Sequence, residues 1–249
     1  MICWSTIETV CPMCGCQLYV REIGGCDVLG QDTDLLIHTG TPHVIRAEVH
    51  SCPDCRFSGY SSDFLGNRVS DLTIEAYFKE YIEKLKDDCG GGESADPPTH
   101  LQYFWSGLLS PLLGYPPRET GLRMLRAYWS LRLDSLPGLD DSGLRSLEHR
   151  YLRRAIAYLR KSLCKEKNPV YLYLVGELCR RKGNWMHSQN YFNRFLARST
   201  RPRHLRNAAA RLIKRARRRD CRHISMERLL YPTRNQSRTI DGREEEKRD

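Results

Sequence analysis

Cys11-Pro12-Met13-Cys14-Gly15 and Cys52-Pro53-Asp54-Cys55 decide how this chain is read. A Cys-x-x-Cys turn points both sulfurs to one side. Two such turns facing each other offer four thiolates at tetrahedral angles, the ligand set of a structural zinc site. Proline after the first cysteine fixes φ and favours the tight turn. Gly15 after the second permits a left-handed backbone there. Cys11, Cys14, Cys52 and Cys55 are therefore the expected metal ligands, with zinc as the expected ion. A rubredoxin-type iron site with the same ligands, or two unrelated dithiols, are the competing readings. Zinc in small modules contributes folding free energy on the order of 10 kcal/mol. Cys16 and Cys26 lie in the same region and could substitute as ligands, although neither sits in a paired turn.

Working outward, Gln17-Leu18-Tyr19-Val20-Arg21-Glu22 reads as a strand leaving the first knuckle. Residues His43 to Cys52 alternate, with Val44, Arg46, Glu48 and His50 on one face and His43, Ile45, Ala47 and Val49 on the other. That pattern predicts a strand entering the second knuckle. The 37 residues between Cys14 and Cys52 exceed what a minimal ribbon needs, so a loop is expected from Gly24 to Thr41.

Ser70 to Asp88 predicts an amphipathic helix, with Ile74, Tyr77, Phe78, Tyr81, Ile82 and Leu85 as its apolar stripe. The Gly- and Pro-rich run from Cys89 to Pro98 reads as a linker. It lacks the Gly-Lys-Ser/Thr of a phosphate loop. Beyond it helices are expected near 99–109, 118–134, 143–165, 169–182, 184–198 and 202–219, with Pro111, Pro116, Pro117, Pro137, Pro169 and Pro202 in the breaks. The tail from Pro232 is polar and charged, a composition expected to be disordered.

Residues 169–198 match one tetratricopeptide unit, a helical hairpin of about 34 residues with small and aromatic residues at fixed places. Leu172, Gly176 and Cys179 fall on its first helix, Gly183 at the turn, and Trp185, Ser188, Phe192 and Phe195 on the second. Ala155 to Leu163 resembles the second helix of a preceding unit. One unit cannot bury its own face, so neighbours and a cap are required. The stretch from Arg203 to Arg219 is the expected capping helix.

The 249 residues carry a net charge of +10, unevenly distributed. Residues 1–100 hold 7 Lys and Arg against 16 Asp and Glu, a net of −9, and the remainder holds 33 against 14, a net of +19. Such asymmetry predicts two regions with different partners, or two that face each other. The 11 cysteines are odd in number, and Cys3, Cys89, Cys164, Cys179 and Cys221 are scattered singly. A secreted disulfide framework would be denser and shorter. No apolar run reaches the ~20 residues of a membrane span. The first ten residues lack the basic region of a secretory signal. A cytoplasmic protein without membrane association is expected.

These features together resemble the uncharacterised prokaryotic proteins gathered as domain-of-unknown-function family 2225. The resemblance rests on the first knuckle, Asp32-Thr33-Asp34, Thr41-Pro42, Cys52-Pro53-Asp54-Cys55, the aromatic Tyr60 and Asp63-Phe64, followed by tetratricopeptide-like helices. One departure is Arg56, where a knuckle usually carries glycine. The resemblance implies a metal-binding ribbon with helical repeats and supplies no catalytic residues.

The expected fold is α+β and mostly α, with a zinc-ribbon-like module at 1–66, a connecting helix and linker at 67–98, a tetratricopeptide-like helical domain at 99–231 and a tail at 232–249. Asp32 and Asp34 read as turn-capping residues before they read as a cation site. His38, His43 and His50 invite a catalytic reading. Exposure is the simpler expectation, and His50 alone is near enough to a ligand for a contact behind the thiolates. Trp129, Trp185, Tyr191 and Phe192 read as core. Residues 201–219 carry nine Arg and Lys and no acid, which allows phosphate contact through Arg203–Arg219. The stretch lacks aromatics for base stacking. The leading expectation is a non-enzymatic interaction protein with a protein or peptide partner on the helical array. Nucleic-acid binding and a thiol or metal redox sensor are the alternatives.

Overall fold

A computed structural model describes residues 3–40, 44–66, 80, 97–134, 140–164 and 168–232. The expected helix over 70–88, apart from Glu80, lies outside the described residues. So do His43, Thr41-Pro42, most of the 89–98 linker and the tail beyond Pro232.

Strand β1 (Cys3–Val10) pairs antiparallel with β2 (Gln17–Gly25), running from Val10 opposite Gln17 to Cys3 opposite Gly25. Strand β2 extends the predicted strand, and β1 is a partner the sequence did not suggest. The six residues joining them are the first knuckle. Two short strands, β3 (Val28–Gln31) and β4 (Ile37–Thr39), form a second pair inside the segment expected to be a loop. The third pair is β5 (Val49–Ser51) with β6 (Ser58–Tyr60), and its connection is the second knuckle.

The expected strand from His43 to Cys52 is corrected by the structure. Val44–Ala47 is one helical turn, α1, and only Val49–Ser51 is extended. The turn buries Ile45 and Ala47 while Arg46 reaches outward to the Leu133 carbonyl at 2.7 Å and to Asp134 at 2.9 Å. It also aims the Ile45 carbonyl at the buried Tyr103 hydroxyl, 2.9 Å away. Four residues are too few for periodicity to separate such a turn from a strand.

A second turn of helix, α2 (Ser61–Phe64), follows β6. The long helices are α3 (Thr99–Leu109), α4 (Pro117–Leu133), α5 (Asp141–Ser162), α6 (Val170–Arg181), α7 (Trp185–Arg198) and α8 (Arg203–Arg217). A short α9 (Met226–Leu230) ends the described chain. All six long helices fall where proline and apolar periodicity place them. Proline begins α4 at its first turn, where a missing N–H costs nothing. Asp140 caps α5 by accepting from the Gly143 N–H at 2.8 Å. The fold is thus α+β and mostly α, with small antiparallel strand pairs ahead of the helices.

Packing groups the chain differently from its composition. One compact unit comprises Met1–Asp27 and Thr39–Glu166, the other Val28–His38 and Lys167–Asp249. In the first unit Tyr103, Phe104, Met124, Leu125, Tyr128, Tyr151, Ala155 and Leu159 are buried between α3, α4 and α5. Gly121 lets α4 and α5 approach closely, since a Cβ there would sit 3.1 Å from the Leu159 backbone nitrogen. In the second unit α6 and α7 form an antiparallel hairpin. Gly183 turns it with φ of 81°, and a Cβ at Gly176 would press 3.0 Å from the Phe192 ring. Ser188, Phe192 and Phe195 are fully buried and Tyr191 nearly so, while Trp129 and Trp185 are only half-buried. Helix α8 buries Leu205, Ala208, Leu212, Ile213 and Ala216 and turns its basic face outward.

Candidate metal centre

Both knuckles are hairpin loops of one construction. The Cys11 N–H donates to the Cys16 carbonyl at 2.8 Å, and the Cys52 N–H donates to the Phe57 carbonyl at 2.8 Å. Inside each loop the fifth residue donates back to the first cysteine: Gly15 N–H to Cys11 at 2.9 Å, Arg56 N–H to Cys52 at 3.0 Å. Closing the outer bond then calls for a left-handed residue at that fifth position, and Gly15 supplies it with φ of 78°. Arg56 takes the same conformation with φ of 64°, so the departure noted in the sequence changes the side chain and not the turn. A non-glycine residue there stores roughly 1 kcal/mol of backbone strain.

The two loops bring four sulfurs together. Cys11, Cys14, Cys52 and Cys55 place their Sγ atoms within 4.8 Å of one another. Cys11 and Cys55 are 3.6 Å apart, and Cys14 and Cys52 are 3.5 Å apart. Four sulfurs each about 2.3 Å from a central ion lie about 3.8 Å apart at tetrahedral angles. The donor set and its spacing therefore fit a four-thiolate metal ion. Cys16 and Cys26 are not members of the cluster. Cys16 instead turns its thiol to the Gln17 carbonyl at 3.3 Å.

Cys11 and Cys52 are buried, Cys55 is half-buried and Cys14 is exposed, so the cluster sits at the rim of an apolar seat. That seat includes Met13, Leu18, Val20, Phe57 and Phe64, with the two phenylalanine rings edge to face at 5.2 Å. Among the thiols themselves, the hydrogen bond from Cys55 lowers the Cys11 pKa to about 5 and raises that of Cys55, while burial raises Cys14 to about 11. A metal ion would displace the remaining protons, so affinity rises with pH.

His50 is neither free nor a partner of the thiolates. Its Nε2 accepts from the Arg21 backbone N–H at 3.1 Å, linking β5 to β2, and burial lowers its pKa. Tyr60 and Asp63, quoted above for the family resemblance, form a second structural feature. The Asp63 carboxylate receives Arg123 in two bonds, of 2.7 and 3.0 Å. It also accepts from the Tyr60 N–H at 2.7 Å and from the Tyr115 hydroxyl. The Arg123 guanidinium lies between the Tyr60 and Tyr115 rings, 4.5 and 4.6 Å from their centres. Gly59 is required beside it, because a Cβ would fall 2.5 Å from Asp63 Oδ2. Arg126 adds a 2.7 Å bond to the Tyr60 hydroxyl and a 3.4 Å ion pair with Glu48. This network ties the second hairpin to α4. Nothing in the local sequence points to Arg123, because a charged residue on an amphipathic helix reads as solvent-facing.

Asp32-Thr33-Asp34 is buried in the second unit. Asp34 accepts from the Leu36 N–H at 3.4 Å, as expected of a turn-capping aspartate. His38 pairs with Asp32 at 3.1 Å. Thr33 does more than the sequence suggests: its hydroxyl donates to Glu177 at 2.7 Å, and its carbonyl accepts from Tyr173 at 2.9 Å. Glu177 is itself paired with Arg180 at 2.6 Å, both side chains being fully buried. Arg180 also donates to the carbonyls of Asp220 and Arg222.

Two hairpin-borne cysteine knuckles, followed by packed antiparallel helices, define the class: a mostly helical protein with a four-cysteine cluster of metal-binding geometry. Within that class the chain belongs to domain-of-unknown-function family 2225, described as an uncharacterized protein conserved in bacteria, whose family model matches residues 5–220. No curated protein and no solved structure matches it. Among the described residues no helix is long and apolar enough to cross a membrane.

Proposed function

We propose that this chain is a zinc-stabilised interaction protein with no catalytic role, whose tetratricopeptide-like helices present a surface to a protein or peptide. The observation that carries the reading is the convergence of Cys11, Cys14, Cys52 and Cys55 from two equivalent hairpin loops. Closed sites of four cysteines hold zinc for folding, whereas catalytic zinc keeps a position open for water. Further support comes from the way buried charges are used. Asp63 is paired with Arg123 on α4, while Glu177 and Arg180, paired within α6, bond outward to Thr33 and to the Asp220 and Arg222 carbonyls, so these groups fasten elements together. The hairpin of α6 and α7, where Gly176 lies against the Phe192 ring, supports the repeat reading.

Two measurements test this. Purified protein is screened against hydrolase and thiol-oxidoreductase substrates, alongside Cys52→Ser. Turnover by the wild type that disappears in a folded Cys52→Ser protein would overturn the non-catalytic reading. Crosslinking with mass spectrometry in the native host then locates the partner. Crosslinks are expected on residues 170–198, and crosslinks confined to the knuckle hairpins would contradict the proposed surface.

A further inference from the structure

The second unit carries a cavity of about 360 Å³ whose polar lining is almost entirely cationic. Helix α8 contributes Arg211, Lys214 and Arg215, and Arg218 follows at its end. The next segment adds Arg222, and α9 adds Arg228. Six cationic side chains face a single carboxylate, Asp220, a net of +5. Cations at the end of a helix are ordinarily explained by its dipole. That explanation reaches Lys214, Arg215 and Arg218 but not Arg222 or Arg228, which arrive from separate segments. Like charges brought together by the fold repel one another, so their convergence needs a counter-charge.

Part of the set is held in place. Arg215 donates to Asp220 Oδ2 at 2.5 Å, and Arg222 grips both oxygens of the same carboxylate at 3.0 and 3.1 Å. Arg211 is fixed to the Leu229 carbonyl at 2.5 Å. These arginines keep the Asp220 carboxyl ionised down to about pH 2, with hydrogen bonds from Arg222 the largest of the effects that lower it against burial. Lys214, Arg218 and Arg228 are exposed, and their side chains form no hydrogen bond or ion pair with any described residue. The fixed arginines form a frame, and the three cations that pair with no described residue face the cavity as its exposed contacts for a ligand.

We propose that this cavity binds a small ligand bearing two or more phosphates, recognised through the phosphates alone. The volume lies at the small end of the range for small-molecule sites. The lining holds no aromatic ring, so there is no platform on which a base could stack. A nucleic-acid strand would need an open track, whereas this site is a pocket. A single phosphate would leave most of the +5 uncompensated, which favours an oligophosphate. The inference is independent of the interaction role proposed above.

Isothermal titration calorimetry of the full chain with sodium tripolyphosphate tests it. One site per chain is expected, at least tenfold tighter than for inorganic phosphate and weakening at least tenfold between about 50 and 200 mM salt. The triple variant Lys214→Gln, Arg218→Gln, Arg228→Gln should lose at least tenfold in affinity with an unchanged melting temperature. A control triple variant, Arg198→Gln, Arg203→Gln, Arg217→Gln, removes the same charge elsewhere and should bind within twofold of wild type. Comparison of ATP with tripolyphosphate distinguishes a nucleotide from a free oligophosphate, and either, bound at this site, supports the proposal. Equal losses in both triple variants would reduce the effect to net charge and overturn it. Absence of saturable binding would overturn it as well. So would a single-stranded oligoribonucleotide that binds the chain and is not displaced by tripolyphosphate.

Discussion

Replacing Asp63 by alanine removes the counter-charge of Arg123 where water cannot substitute for it. The two side chains are 2% and 4% exposed. The substitution deletes the bidentate pair at 2.7 and 3.0 Å and orphans the Tyr60 N–H and the Tyr115 hydroxyl. It leaves the guanidinium with two aromatic faces and the Ser106 hydroxyl. Breaking a buried pair from one side costs about 3–5 kcal/mol, most of it the burial of an uncompensated charge. The stranded N–H contributes within that figure, so about 4 kcal/mol is expected, a large share of the stability of a typical domain. Followed by tryptophan fluorescence in urea, metal-loaded Asp63→Ala should unfold roughly 2 M earlier. The double variant Asp63→Ala, Arg123→Met should recover at least half of the loss, because no buried charge is then left alone. A loss below about 1 kcal/mol in the single variant, or strictly additive losses in the double, would refute the view that this pair fastens the second hairpin to α4.

Arg56→Gly relieves a left-handed backbone held at φ of 64° and should stabilise the loaded protein by about 1 kcal/mol in thermal melts; no gain would mean that the arginine side chain offsets the strain. Gly121→Ala should destabilise by about 1–3 kcal/mol through overpacking against Leu159, although helix propensity alone favours alanine by about 1 kcal/mol; a stabilised variant would show that the contact between α4 and α5 yields freely. His100 is buried, its Nδ1 is hydrogen-bonded with the Tyr151 hydroxyl at 3.0 Å, and burial lowers its pKa to about 4. The unfolded chain binds this proton near pH 6.5 and the folded chain does not, so stability is full above that pH and declines as pH falls toward 4. At pH 5 the wild type should have lost about 2 kcal/mol more than His100→Gln relative to pH 7, and parallel pH profiles for the two would contradict the assignment.

The parts of the fold that are legible in sequence are those set by neighbours in sequence. Each knuckle is a local turn with its ligands three residues apart, so both were readable from spacing. The long helices from Thr99 to Arg217 announce themselves through proline at their breaks and apolar residues on one face. Strand Cys3–Val10 gives no such sign, because it has no buried residue and its sequence shows no inner face. Val44–Ala47 alternates by accident of composition over a span too short to test. The buried ion pairs are illegible for another reason. Asp63 and Arg123 are 60 residues apart, and Thr33 meets Glu177 across 144. Each reads as an ordinary polar residue until tertiary packing removes its water. The same holds for Arg222 and Arg228, which join the basic face of α8 only once the chain has turned back.

X-ray absorption at the zinc edge of the protein as purified tests the central claim most directly, with total metal measured on the same sample. One zinc per chain is predicted, surrounded by four sulfur atoms at about 2.3 Å. Iron in its place, a shell containing nitrogen or oxygen, or a metal-free protein that melts no earlier than the loaded one would contradict the account.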